Sequence, residues 1–214
     1  MQTSPPNSKL SLFGMAIDRV TLGEAMSQLL DRCAAPSDGR CHYVVTPNVD
    51  HVVMHHTRAD LRAAYQSAAM VLADGAPLIA ASRLLGKPLP ERVAGSDLTP
   101  AVLRAAGTGG RPPLRVFLLG AGPGIAEVAA EKIVRRNQRV EVVGTYCPPL
   151  GFEKNAGENE AILAAIASAK PDLLIIGLGA PKQELWISRF HERIDAKVAL
   201  CVGATIDFLA GHKQ

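Results

Sequence analysis

The stretch MVLADGAP, residues Met70–Pro77, places an acid, Asp74, directly after a short apolar run and directly before Gly75. A carboxylate in this position has two interpretations. It could cap the helix that follows, because Asp side chains accept hydrogen bonds from the first N–H groups of a helix. It could also be a general base at the end of a strand, since a base must reach the proton of a reacting hydroxyl.

Polar or glycine-rich residues follow four other apolar runs of the sequence. If those runs are strands of one parallel sheet, their carboxyl ends meet at one edge, where ligands bind in folds of this kind. We therefore expect one shared site rather than five unrelated turns. The four segments are TPN (Thr46–Asn48), GAGPG (Gly120–Gly124), GLGAPKQE (Gly177–Glu184) and GATID (Gly203–Asp207).

The GAGPG segment is close to a dinucleotide-binding turn but departs from it. Ile125 occupies the third glycine position of G-x-G-x-x-G, and the next strand ends in Thr145 and Tyr146, where a ribose-binding acid is expected. This departure disfavours a nicotinamide cofactor. It favours a glycine turn, at Gly120 and Gly122, whose backbone N–H groups bind a phosphate or nucleotide. A tight turn that binds nothing stays open as the alternative.

The GAPKQE segment also follows a strand and opens a helix. Lys182 and Gln183 would project from the amino end of that helix, beside the positive pole of its dipole. A cation and an amide at that point could bind a diphosphate or a sugar, as could the helix start after Gly179. The alternative is a solvated helix start in which Glu184 adds a first-turn carboxylate.

The segment PLPERVAGSDL, residues 88–98, contains too many Pro and Gly residues for a helix. Arg92 within it could contact a phosphate or sugar, because a guanidinium matches phosphate oxygens. Asp97 is expected to cap the next helix. His51 and His55 stand four apart on a predicted helix, but HVVMH lacks the glutamate of a zinc-protease motif. We therefore expect no metal site.

The elements that must position these residues are predicted from strand–helix alternation. LRVFLLG, VEVVGTY, PDLLIIGLG and KVALCVGA are continuous apolar runs separated by helical segments, typical of a parallel sheet covered on both faces. The pattern predicts an α/β, Rossmann-like fold with a mostly parallel sheet and helices on both faces. Residues 11–108 and 114–214 form two α/β halves of one domain, with a hinge at Gly107–Pro113 and a flexible tail at residues 1–10.

Composition excludes several classes of protein. The chain has 214 residues, 48% of them hydrophobic, which excludes a disordered chain. No apolar run approaches the roughly 18 residues of a membrane span. A net charge of +3 is too mild for bulk nucleic-acid binding but suits anionic ligands such as phosphates. The four cysteines are far apart and predict reduced thiols in a cytosolic protein.

Five segments, in this order, resemble the WecG/TagA/CpsF family of bacterial glycosyltransferases, over about residues 12–211. They are TPNVD, VLADGAPLIAASRLLGKPLPERVAGSDL, VFLLGAGPGIAEVAAEKI, PDLLIIGLGAPKQELWI and VGATIDFLAG. The resemblance implies an inverting enzyme without a metal or other cofactor, which moves a sugar from a UDP-sugar donor to an undecaprenyl-diphosphate-linked sugar. The implied donors are UDP-N-acetylmannosamine, its uronic acid and UDP-glucose. The implied products are cell-surface polysaccharides or teichoic acids.

The same resemblance assigns roles to residues of this sequence. It implies that Asp74 is the general base and that Thr46 and Asn48 line the sugar pocket beside it. Arg92 matches an arginine near the active site. By the family's pattern, Gln183 and Asp207 fall on the donor side. The helix starts and turns described above add four further candidates for donor binding: Gly120, Gly122, Gly179 and Lys182.

The sequence departs from the family pattern at its C-terminal end. Family members usually continue past the AG of AGHKQ with a basic segment and an Arg-rich tail that touches the membrane. That tail is therefore expected to be absent here. The resemblance implies a cytoplasmic protein peripherally associated with the inner face of the plasma membrane, and a homo-oligomer is compatible with it. A non-catalytic module that binds a UDP-sugar or nucleotide is the alternative.

Overall fold

Eight strands form two sheets in the computed structural model, which describes residues 9–212. In chain order the strands are β1 (Lys9–Leu12), β2 (Met15–Asp18), β3 (His42–Val45), β4 (Met70–Val71), β5 (Leu114–Gly120), β6 (Val140–Tyr146), β7 (Leu173–Gly177) and β8 (Val198–Cys201). β1 and β2 pair as an antiparallel hairpin. The other six are all parallel, in the order β4-β3-β8-β7-β5-β6.

Helices cover both faces of the parallel sheet. In chain order they are α1 (Leu22–Ala34), α2 (Val49–Thr57), α3 (Ala59–Ser67), α4 (Ala76–Leu84), α5 (Gly95–Ala105), α6 (Ile125–Arg136), α7 (Ala156–Ala169), α8 (Lys182–Phe190) and α9 (Thr205–Ala210). Successive strand residues enter opposite hydrophobic cores: Tyr43 and Val45 pack in one and Val44 in the other. This alternation is why the strands are apolar throughout, and it confirms the predicted α/β, Rossmann-like fold.

The two predicted halves share the sheet. β8, from the second half, lies between β3 of the first half and β7 of the second. The carboxyl ends of β3, β4, β7 and β8 therefore lie at one edge, although the residues that follow them are far apart in sequence.

The hairpin β1–β2 was absent from the sequence-based prediction. Its two-residue turn, Phe13 and Gly14, has φ angles of +53° and +78°, which match the right-handed twist of a hairpin. Asp18, at the end of β2, accepts a hydrogen bond from the backbone N–H of Val71 at 2.8 Å. The hairpin therefore holds β4, the short strand that leads to Asp74.

The expected role of Asp97 as a helix cap is wrong. α5 begins at Gly95, within the segment predicted to be non-helical, and its N-cap, Ala94, makes no side-chain capping bond. Asp97 is the third helical residue, and its carboxylate accepts from Arg92 instead, at 2.5 Å. The two prolines of this segment, Pro88 and Pro90, precede the helix. Gly95 is its first residue, where an added Cβ would lie only 3.0 Å from Val202.

The predicted terminal features lie mostly outside the described residues. This holds for residues 1–8 of the predicted N-terminal tail, whereas Lys9 and Leu10 belong to β1. Within residues 9–212, no helix combines the length and the apolar character that crossing a membrane requires.

Candidate functional site

A pocket of about 370 Å³ opens at the carboxyl edge of the sheet, beyond β3, β4 and β8. Its wall includes four residues that the sequence predicted for one site, together with others from the same strand ends. The lining residues discussed below are Thr46, Asn48, His51, Asp74, Ser96 and Gln183.

Asp74 lines this pocket and does not cap α4, the helix that follows it. The N-cap of α4 is Gly75, and no side chain makes a capping bond there. The backbone N–H of Asp74 instead donates to the carbonyl of Pro47 at 2.8 Å. This bond joins the loop after β4 to the loop after β3, so the carboxylate lies beside Asn48. The capping interpretation of Asp74 is therefore wrong.

The surroundings of Asp74 raise the basicity of its carboxylate. Burial is the largest cause and raises the pKa of Asp74 above its ordinary value, and the Asp97 carboxylate adds to the rise. The Arg92 guanidinium, the backbone N–H of Gly95 and the His51 ring act in the opposite direction. A carboxylate with a raised pKa that reaches solvent through a pocket is suited to accept a proton.

Arg92 lies at the rim of the site. Its Nη1 is 3.5 Å from Asp74 Oδ1, and its Nη2 is 2.5 Å from Asp97 Oδ2. Asp97 thus holds the guanidinium next to Asp74, where it can also meet an anionic ligand.

Thr46 and Asn48 are fixed by the backbone around them. Thr46 is buried and donates its hydroxyl to the carbonyl of Cys201 at 3.3 Å. Asn48 is the N-cap of α2, and its Oδ1 accepts from the backbone N–H of His51 at 3.2 Å. Hydrogen bonds to the surrounding backbone thus orient both side chains.

Gln183 joins the pocket from α8. It is buried, and its Oε1 accepts from the backbone N–H of Gly203 at 3.1 Å. Its Nε2 donates to Glu184 Oε1 at 2.8 Å. Gln183 therefore ties α8 to the turn after β8, which forms the opposite wall of the pocket.

Lys182 and Asp207 are not among the residues that line the pocket. Lys182 lies 4.0 Å from Glu153 and 5.8 Å from the ring centroid of Phe152, on another side of α8. Asp207 lies in the first turn of α9, half-buried, and its carboxylate makes no ion pair or hydrogen bond to residues 9–212.

The three predicted glycines also lie outside the residues that line the pocket, and they differ in their surroundings. A Cβ at Gly120 would collide with the carbonyl of Gly177, so close packing of β5 against β7 requires a glycine there. A Cβ at Gly122 would lie 3.5 Å from Ile125, an ordinary contact, and one at Gly179 would meet nothing within 4 Å. The turns at Gly122 and Gly179 are thus open to a ligand, whereas Gly120 has a packing reason of its own.

Three helix N-termini at the pocket favour an anion, whereas two carboxylates, Asp50 and Asp74, also line it. α2, α5 and α8 all begin at its wall, with His51, Ser96 and Gln183 in their first turns. The N-terminal ends of helices carry partial positive charge and free N–H groups, which favour phosphates. Arg92 adds a full positive charge at the rim.

No group of three or more His, Cys, Asp or Glu side chains that could hold a metal ion occurs among residues 9–212. His55, four residues after His51, is buried and packs edge-on against the ring of Tyr65, with 5.6 Å between ring centroids. Independence from metal stays a prediction.

Sequence reasoning considered His51 only as a metal ligand and missed its place in the pocket. The pattern that could have revealed it is local. Asn48 followed three residues later by a hydrogen-bonding side chain is a capping-box arrangement, and His51 fills that third position. Its contact with Glu184 of α8, at 3.4 Å, is tertiary and has no counterpart in local sequence.

Comparison with known proteins matches this chain to a glycosyl transferase family and to similar bacterial proteins. A model of the glycosyl transferase WecG/TagA/CpsF family matches residues 10–214. A protein of Staphylococcus aureus strain MRSA252 is 28% identical over 97% of this chain and 78% of its own length. Its counterpart in strain NCTC 8325 is 27% identical over the same shares. Both are named N-acetylglucosaminyldiphosphoundecaprenol N-acetyl-beta-D-mannosaminyltransferase.

Proposed function

This chain belongs to the glycosyl transferase WecG/TagA/CpsF family, and we propose that it transfers a sugar from a UDP-sugar to an undecaprenyl-diphosphate-linked sugar, with Asp74 as the general base. The similar proteins from S. aureus carry names that specify N-acetylmannosamine transfer to N-acetylglucosaminyl-diphospho-undecaprenol. An N-acetylhexosamine donor such as UDP-N-acetylmannosamine is therefore the first candidate. Its uronic acid and UDP-glucose are the others to be tested.

The observation that carries the proposal is the position of Asp74. Asp74 lines the same pocket as Asn48, its pKa is raised by burial, and it does not cap α4, the helix that follows it. A carboxylate whose pKa is raised by burial and that lines a pocket is typical of a proton-transfer site.

The proposed reaction is a single displacement. The acceptor hydroxyl gives its proton to Asp74 while its oxygen forms a bond to the anomeric carbon of the donor sugar. The bond from that carbon to the diphosphate oxygen breaks, and its electron pair leaves with UDP. Attack opposite the leaving group inverts the anomeric carbon. Asp74 is suited to this step because a base whose pKa lies nearer the working pH transfers protons more effectively.

The leaving diphosphate needs compensation for its growing negative charge. We propose that protein groups supply it without a metal ion. The amino ends of α2, α5 and α8 meet at the pocket, and Arg92 stands at its rim. Helix N-termini and a guanidinium are both established types of phosphate site.

The acceptor is a lipid-linked sugar diphosphate, so we propose that the protein works at the cytoplasmic surface of the membrane, attached peripherally. The absence of a spanning helix within residues 9–212 is compatible with this attachment. Nucleic acid has no part in the proposal.

The test is a panel of UDP-sugars incubated with a polyprenyl-diphosphate-N-acetylglucosamine acceptor, with release of UDP as the readout. Acceptor-dependent UDP release with one donor supports transfer. UDP binding by calorimetry without release from any donor would instead support a non-catalytic binding module. An inverted anomeric configuration in the product, determined by NMR, tests the single displacement separately.

A further inference from the structure

A buried carboxylate lies directly behind the wall of the pocket. Glu184, in the first turn of α8, is 1% exposed. Its Oε1 accepts from Gln183 Nε2 at 2.8 Å and lies 3.4 Å from His51 Nε2. Its Oε2 is buried and has no hydrogen-bond partner within residues 9–212. A buried carboxylate with so few partners is costly unless a cation faces it.

The orientation of the Asn48 amide follows from the chain itself. The backbone N–H of His51 can only donate, and the atom of Asn48 facing it at 3.2 Å must therefore be the oxygen, Oδ1. The same oxygen lies 2.7 Å from His51 Nδ1. An unprotonated ring nitrogen would be repelled by an oxygen lone pair at this distance, so Nδ1 carries a proton and donates to Oδ1.

His51 then carries a proton on each ring nitrogen, of which only Nδ1–H makes a hydrogen bond, because the contact between Nε2 and Glu184 is an ion-pair contact. Nδ1–H meets Asn48, and Nε2–H faces the Glu184 carboxylate. The backbone N–H of Asn48 also points at Nδ1, at 3.3 Å, in a capping-box bond that would need an unprotonated ring nitrogen, but the 2.7 Å contact with Oδ1 is shorter and outweighs it. A doubly protonated imidazole is positively charged and supplies the cation that the buried carboxylate lacks.

Two other buried groups lie close enough to Glu184 to be affected by a charge on it. Burial, and after it the charge of Glu184, raises the pKa of Tyr65, whose hydroxyl is also buried without a partner. The pKa of the Cys201 thiol is also raised, mainly by burial and secondly by the charge of Glu184. On the pocket side, Asp74 interacts with the charge of His51 and Arg92 lies beyond it, and Asp50 lines the same pocket.

The consequence falls on Asn48 Nδ2. Asn48 Oδ1 accepts from the backbone N–H and from Nδ1–H of His51, so Asn48 Nδ2 must point away from His51. Asn48 Nδ2 makes no hydrogen bond to residues 9–212. Asn48 lines the pocket, and its Cβ is 3.9 Å from the point where a Cβ would stand at Gly75. A free amide donor thus belongs to a residue that lines the same pocket as the proposed base.

We propose that Glu184 and His51 are positioning residues, which hold the Asn48 amide so that Nδ2 donates to an oxygen of the bound sugar beside Asp74. The proposal rests on the proposed function for the identity of the ligand, a sugar. The protonation of His51 that it requires is a property of the protein alone. The contact would fix the sugar ring relative to the base, which is worth most in the transition state.

The first experiment needs neither substrate nor activity. Protein labelled with 15N in histidine is examined by long-range 15N–1H NMR at neutral pH, and His51 is identified by its loss in His51→Gln. We expect both ring nitrogens of His51 to carry protons, and one to lose its proton in Glu184→Gln. An unprotonated Nδ1 in the parent protein would overturn the proposal, whatever the transfer assay shows.

The second experiment is a double-mutant cycle in the transfer assay. Asn48→Ala and Glu184→Gln are each expected to lower kcat/KM for the donor about tenfold. The double variant is expected to be no worse than Asn48→Ala, because Glu184 acts through Asn48. Fully multiplied losses would mean that Glu184 acts elsewhere and would overturn the proposal. His55→Gln, a buried histidine one turn away, should leave kcat/KM within twofold.

The two experiments separate this proposal from the proposed function. If no UDP-sugar is turned over by any variant, the proposed function fails, but the NMR result still decides the protonation of His51. If transfer is observed and Nδ1 of His51 is unprotonated, the function stands and the positioning role is wrong.

Discussion

The carboxylate of Asp74 lies 3.5 Å from the guanidinium of Arg92, measured from Oδ1 to Nη1. The same guanidinium is much closer to another carboxylate, that of Asp97, at 2.5 Å. Its charge is therefore shared, and Asp74 is not locked in a tight ion pair. Burial of Asp74 outweighs Arg92 in setting its pKa, so the carboxylate keeps the basicity that proton transfer needs.

Asp74→Asn should abolish sugar transfer while leaving UDP binding intact. An amide cannot accept the acceptor proton, and loss of a general base typically costs about 100- to 10,000-fold in rate. The measurement is acceptor-dependent UDP release together with calorimetric binding of UDP. Asp195→Asn is the control, since Asp195 is exposed and precedes β8 at the opposite edge of the sheet. Transfer at the full rate would show that Asp74 is not the base.

The same substitution should not destabilise the fold. The pKa of Asp74 is raised in the folded protein, so its contribution to stability is present at low pH and is lost as pH rises through that pKa. Asp74→Asn should therefore unfold at an equal or higher temperature at pH 7, and the difference should vanish near pH 4. Each kcal/mol relieved corresponds to about 2–4 °C in a domain of this size. A clear fall in Tm at pH 7 would contradict this.

Removal of the Arg92 charge should move the pH profile of transfer. Arg92 lowers the pKa of Asp74, and its loss also frees the Asp97 carboxylate, which raises that pKa. Because the base must be ionised, the rate rises with pH through this pKa. In Arg92→Gln the rise should occur about one pH unit higher. Arg92→Lys, which keeps the charge, should shift the pH profile less. An unchanged profile in Arg92→Gln would show that Arg92 does not influence the pKa of the base.

The fold was predictable where the sequence contains long, uniform patterns. β5 to β8 are apolar on both sides because each face of the sheet meets its own core, and runs such as Leu114–Gly120 are recognisable on that basis. The hairpin β1–β2 has only four residues in each strand. Its role of holding β4 depends on the tertiary contact between Asp18 and Val71, which local pattern does not contain.

The site was predictable as far as strand ends determine position. Thr46, Asn48 and Asp74 follow β3 and β4, and a parallel sheet brings those ends together. The direction of side chains on a helix was not predictable. Successive residues of a helix point about 100° apart, so Gln183 turns inward to Gly203 whereas its neighbour Lys182 lies beside Phe152.

That difference in direction predicts unequal effects of two alanine substitutions. Gln183→Ala removes the partner of the Gly203 N–H and one donor to buried Glu184, so it should cost roughly 1–3 kcal/mol in stability and raise the donor KM. Lys182→Ala should leave both quantities nearly unchanged. Thermal unfolding measures the stability of both variants, and transfer assays measure their KM for the donor. A tenfold rise of KM in Lys182→Ala would mean that the lysine swings into the pocket when the donor binds.

Alanine substitutions can distinguish the glycine that is needed for packing from the one proposed to bind a ligand in the turn after β5. Gly120 has a φ of +111°, and a Cβ there would collide with the carbonyl of Gly177, so Gly120→Ala should lower Tm. Gly122 has room, with Ile125 at 3.5 Å from an added Cβ, and Gly122→Ala should leave Tm nearly unchanged.

The donor KM of Gly122→Ala then tests the binding interpretation on its own. If backbone N–H groups of this turn approach the diphosphate, an added methyl group obstructs that approach, and KM should rise by about tenfold or more while the fold stays intact. An unchanged KM would leave the turn a connection between β5 and α6 that binds nothing. Gly23→Ala, in the first turn of α1 with nothing within 4 Å of the added atom, is the matched control and should leave KM unchanged.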